Sequence, residues 1–109
     1  MPWNSFDGGS TIGTRGSENG VIVSDEEHSD GARVTLESGC AHAPFAVTCG
    51  MYGWFFHTTF MRSQAEGEQT AAAIRSAIES ILALVSTRDE SVRRPAITAA
   101  ISSLVDRFP

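Results

Sequence analysis

The stretch Gly20–Ser38, GVIVSDEEHSDGARVTLES, decides how the chain is read. Val21, Ile22 and Val23 are β-branched, and Ala32, Val34 and Leu36 alternate with Arg33, Thr35 and Glu37, the period-two pattern of strands. Between the two runs stands Asp30-Gly31, a strong hairpin signal because glycine accepts the positive φ that the turn requires. An antiparallel hairpin with DEEHSD (residues 25–30) at its tip is therefore expected. Alternation puts Asp25 and Glu27 on one side and Glu26 and His28 on the other, so the acids do not converge. The spacing is not that of an EF-hand loop, and the segment reads as a charged, solvated edge that discourages strand-on-strand association. The functional alternative has His28 or Glu27 meeting a group from another chain.

Downstream, FAVTCGMYGWFFHTTF (45–60) has the residues of one long or bent strand broken at Gly50 and Gly53, where bulges or a sharp bend are expected. Phe45, Val47, Cys49, Met51 and Phe55 share one parity; Tyr52, Trp54, Phe56 and Phe60 share the other. Both sides are apolar.

After Met61 the period becomes helical. Ile74, Ile78, Ile81, Leu82 and Val85 form one stripe, with Ser63 and Glu66 in capping-box spacing, although Gly67 points to a start nearer Thr70. A second helix is expected from Pro95 to Phe108, with Pro95 in its first turn. Strands first and helices last give an α+β fold: an antiparallel three- to four-stranded meander followed by two C-terminal helices packed on one face of the sheet.

Upstream, residues 1–19 are rich in Gly, Ser, Asn and Thr and read as an N-terminal arm or edge strand, anchored by Trp3, Phe6 and Ile12, with the strand expected around Ser10 to Thr14. At 109 residues the whole is read as a single domain, 1–109, with arm 1–19, meander 20–61 and helices 63–109.

Composition narrows the function. A net charge of −5, eight Arg and no Lys argue against binding nucleic acid through its phosphates, which needs clustered cations. MPWNSFDGGS lacks the basic start and apolar run of an export signal, and no uncharged stretch approaches the ~20 residues of a membrane span, so a cytoplasmic protein is expected. There Cys40 and Cys49 are expected as free thiols.

Cys40, His42, Cys49 and His57 match zinc in ligand type, but not in spacing: Cys49 and His57 would lie up to roughly 26 Å apart on a straight strand. No metal and no cofactor is expected. No nucleotide-binding or hydrolase motif is present, and GGSTIGTRG (8–16) is read as a flexible arm.

Two helices cannot cover two apolar sheet faces. The expectation is a homodimeric assembly or regulatory module that buries the second face against its own copy; the rival cover is the arm, folded over that face by Trp3 and Phe6. The alternative is a small-molecule-binding protein or small enzyme with a pocket near Tyr52, Trp54 and His57, rimmed by the 25–30 hairpin, with Arg33, Glu27 and His28 at its edge.

Overall fold

A computed structural model describes residues 2–109; Met1, the first residue of the arm, lies outside them. The chain is an α+β fold: strands β1 (Trp3–Ser5), β2 (Val21–His28), β3 (Ala32–Ser38), β4 (Phe45–Met51) and β5 (Phe55–Met61), then helices α1 (Gln64–Val85) and α2 (Glu90–Arg107). The strands form one antiparallel sheet in chain order, β1 to β5.

Five strands replace the expected three or four for two reasons. First, the 45–60 stretch is a hairpin, not one strand. Gly53 takes φ +82° in a three-residue turn, Trp54 donates its N–H to the Met51 carbonyl at 2.9 Å, and Met51 faces Phe55 across the ladder. Second, the edge strand of the arm is Trp3–Ser5, not Ser10 to Thr14, and it pairs with Glu26 to His28. β2 is therefore covered at its end and does not serve as the charged edge. Asp25 stands mid-strand, 1% exposed, and His28 is 7% exposed. The turn itself is only Ser29 to Gly31.

Registers sort the side chains cleanly. Ala32, Val34 and Leu36 stand beside Met51, Cys49 and Val47, all buried on what we call the helix face. α1 lies on this face across β3, β4 and β5, and α2 packs along α1. Gly67, Ala71, Ile74, Ile78 and Ile81 form the buried stripe of α1. Val85, expected in the stripe, is 40% exposed.

The helix starts at Gln64, six residues before the Thr70 to which Gly67 points. Ser63 accepts the Glu66 N–H at 3.2 Å, and Glu66 reaches back to the Arg62 N–H at 3.2 Å. Such caps offset a glycine's ~1 kcal/mol helix cost. Gly67 has a packing reason as well: a Cβ there would sit 2.7 Å from Leu36 Cδ1. α2 likewise starts before Pro95. Asp89 caps it by accepting the Ser91 N–H at 3.0 Å. Pro95 then falls in the second turn, where the N–H it lacks would have met the carbonyl of Ser91, a residue open to solvent.

Candidate functional site

The opposite, outer face of the sheet carries neither α1 nor α2. Its cross-strand rows run Glu27, Arg33, Gly50, Phe56 and, one step along, Asp25, Thr35, Thr48, Thr58. The arm covers the β2–β3 half of this face and leaves the β4–β5 half open.

Asp25 anchors the covered half. Its carboxylate accepts two bonds from Arg33, Nε to Oδ1 at 2.8 Å and Nη2 to Oδ2 at 2.6 Å, one from Thr11 at 2.8 Å and one from Thr35 at 3.0 Å. Burial raises the carboxyl's pKa, but the bonds from Arg33, Thr11 and Thr35 and the charge of Arg33 outweigh it and hold the group below the usual value. The same bond to Asp25 holds Arg33 above its ordinary value. Phe6 of the arm lies on the guanidinium, 3.6 Å from Cζ to ring centroid. The arm is thus fastened to the Asp25–Arg33 pair by the Thr11 hydroxyl and the Phe6 ring.

Glu37 fastens it a second time. This side chain is fully buried and accepts the N–H groups of Glu18 at 3.1 Å and Gly20 at 3.2 Å. Gly16 allows that loop to close, since a Cβ at this position would lie 2.2 Å from the carboxylate.

Between the arm and β4–β5 runs a groove of about 530 Å³, with Arg15 and Glu18 on its arm side and Arg33, Thr35, Thr48 and Thr58 on the sheet side. The hydroxyls of Thr48 and Thr58 are 3.0 Å apart. Phe56 closes the groove's outer end. Its ring leans over Gly50, where a Cβ would lie 2.4 Å from Phe56 Cδ1. Phe56 is 70% exposed, and Phe60 is 45% exposed two residues along the same face.

The residues singled out in the sequence divide between the faces. Arg33 and Glu27 face each other on the outer side, and Tyr52 donates its hydroxyl to Glu27 Oε2 at 2.6 Å. Burial, then the bond to Glu27 and its charge, push this phenol up to about 12. His28 is on the helix face, edge-on to Trp3 at 5.0 Å, with Nδ1 accepting the Asp30 N–H at 2.9 Å. Trp54 is half-buried in the β4–β5 turn with the Arg94 guanidinium 5.5 Å from its ring. His57 also points to the helix face, where Nε2 bonds the Phe108 carbonyl. Tyr52 and His57 therefore lie on opposite sides of the sheet, and the structure does not gather Tyr52, Trp54 and His57 around one cavity.

Cys49 and His57 are not far apart along a straight strand but face each other across β4 and β5. Burial pushes the Cys49 thiol up to about 11, which disfavours the thiolate that a nucleophile or metal ligand needs. Burial, then Glu37 and Glu18, raise Cys40 as well. Both cysteines are free.

Phe6 enters the sequence reading only as an anchor of the arm, and Thr11, Thr35, Thr48 and Thr58 do not enter it as site residues. Their signal is one of register: the threonines belong to different strands and align only once the ladders are known. On this outer face the buried acid, Asp25, is saturated by four hydrogen bonds.

Among the described residues no helix is long and apolar enough to cross a membrane. Compared with protein-family models, curated proteins and solved structures, the chain matches none.

Proposed function

We propose that this protein is a single-domain assembly or regulatory module that pairs with a second copy of itself through the open β4–β5 half of its outer sheet face. The observation that carries this reading is the exposure of Phe56 and Phe60, at 70% and 45%, on a face whose other half the chain covers with its own arm. Large exposed aromatics are enriched at interface centres, and two-fold pairing is the commonest closed assembly. Two unpaired thiols suit a reducing compartment, and we place the protein in the cytoplasm. A net charge of −5 supports a protein partner over nucleic acid.

Light scattering tests the reading. The wild type is expected at twice the 11.7 kDa of the chain, and Phe56→Ser with Phe60→Ser at 11.7 kDa with an unchanged circular-dichroism spectrum. A wild-type monomer at tens of micromolar overturns it.

A second reading has its own observation. The groove of about 530 Å³ is within the size range of small-molecule sites, roughly 300–1,000 Å³, and Arg33 is fixed at its wall by Asp25 and Phe6. In that reading a small molecule binds on the Arg33 side of the outer face, not between Trp54 and His57. A thermal-shift screen that finds no stabilising compound in a monomeric wild type removes this alternative.

A further inference from the structure

The sheet has two edges of different character. β1 is three residues long, and short edge strands are one of the means by which proteins avoid unwanted pairing. β5 is seven residues, Phe55–Met61, and carries none of the other protections: no Lys, Arg, Asp or Glu, no Pro, and no bulge in its register with β4. Among the described residues, no backbone hydrogen bond joins β5 to a segment other than β4. The C-terminal Phe108 and Pro109 approach β5, but they are taken by His57 and Thr59 on the helix face. The edge itself is left open.

The sequence of that edge is self-complementary. On the outer face it reads Phe56, Thr58, Phe60, the same in both directions. On the helix face it reads Phe55, His57, Thr59, Met61, apolar at the ends and polar in the middle, again in both directions. We infer that β5 pairs antiparallel with β5 of a second copy about a two-fold axis through Thr58, joining the two sheets into one of ten strands.

This inference rests on the assembly reading and gives it a register. Phe56 then faces the partner's Phe60, Thr58 faces the partner's Thr58, and Phe55 faces the partner's Met61. Aromatic pairs and threonine pairs are among the favourable cross-strand neighbours. With no charge on the strand, self-pairing brings no like charges together. The open backbone of the edge supplies main-chain hydrogen bonds, and the exposed Phe56 and Phe60 rings gain cover.

A residue on the two-fold axis meets itself, which makes the test specific. Thr58→Lys sets lysine against lysine and Thr58→Glu sets glutamate against glutamate. Each variant alone is expected at half the wild-type mass by light scattering. An equimolar mixture of the two is expected to return to the wild-type mass, because Lys then faces Glu. Thr58→Val, which removes the hydroxyl that meets Thr48 but adds no charge, is expected to remain at the wild-type mass. Circular dichroism on each variant separates loss of pairing from loss of fold.

A dimeric wild type whose Thr58→Lys variant keeps its mass overturns pairing at β5 and, because Thr58 lies between Phe56 and Phe60, assembly through that patch as well. Dissociation of both charged variants with no recovery on mixing overturns the axis at Thr58 while leaving assembly through the outer face standing. A wild-type monomer overturns both proposals and leaves the edge to a strand of another protein.

Discussion

Asp25→Ala is the perturbation whose outcome the structure fixes most closely. The substitution removes a carboxylate with a fully buried side chain and leaves Arg33, Thr11 and Thr35 without their acceptor. Breaking a buried ion pair by deleting one partner costs ~3–5 kcal/mol when the remaining charge has no other recourse. Arg33 does have some, since its side chain is 32% exposed and can turn toward the groove. The expected loss is therefore near the lower bound, ~3 kcal/mol, a large share of the ~5–15 kcal/mol that stabilises a typical domain. In melting temperature this is a fall of about 12 °C for a chain of this size.

Urea unfolding measures it, and pH supplies the second axis. The folded-state pKa of Asp25 lies below its unfolded value, so its stabilisation is fully present above the unfolded pKa and is lost as pH falls through the folded one. The gap between wild type and Asp25→Ala should thus be constant from about pH 7 to pH 5 and shrink below about pH 4. Adding Arg33→Leu to Asp25→Ala should recover part of the loss, because the orphaned charge is then gone. A gap under ~1 kcal/mol at neutral pH, or one that persists unchanged to about pH 2, refutes the assignment of Asp25 as the buried anchor of the arm.

Two further outcomes test the arm and the hairpin end. Gly16→Ala pushes a methyl into the buried Glu37 carboxylate and should cost ~2 kcal/mol in urea unfolding; wild-type stability in this variant would show that the 16–20 loop is not held by Glu37. Tyr52, the single tyrosine, should ionise at about 12 when followed by ultraviolet absorbance after a rapid pH jump, and Glu27→Ala should move the midpoint down toward the ordinary value of about 10. A wild-type midpoint already near 10 would remove the Tyr52–Glu27 bond.

Period and punctuation carried much of the fold. The alternation of 32–37 and the Asp30-Gly31 turn placed the β2–β3 hairpin, and the spacing of Ile74, Ile78 and Ile81 placed α1. The misjudged boundaries are those at which a cap outweighed a breaker: Ser63 and Glu66 against Gly67, and Asp89 against Pro95. Gly53 was legible as a break, but whether it bends a strand or ends one depends on pairing partners that a linear pattern does not contain.

The site was less legible still. DEEHSD looked like solvated charge because nothing near it in sequence satisfies Asp25; its partners come from residues 11, 33 and 35. His28 and His57 drew attention as chemistry-bearing side chains, yet each serves a main-chain group, the Asp30 N–H and the Phe108 carbonyl. Exposure of Phe56 and Phe60 followed from parity, whereas the groove beside them required the arm's path over the sheet, which a Gly- and Ser-rich segment does not encode by period.

The three-residue turn between β4 and β5 also works as a counting device. Met51 and Phe55 meet across it with four steps of chain between them, an even number, so even and odd positions keep their sides from one strand to the next. One extra residue taken up by the strand, with the turn held at three residues, would advance β5 by a single step. Phe56 and Phe60 would then be driven beneath α1, while His57 and Thr59 would surface and release the C-terminal carbonyls they hold. A single insertion at Tyr52 to Trp54 should therefore be tolerated where the loop lengthens to four residues and keeps Met51 opposite Phe55, and should unfold the sheet where it passes into the strand.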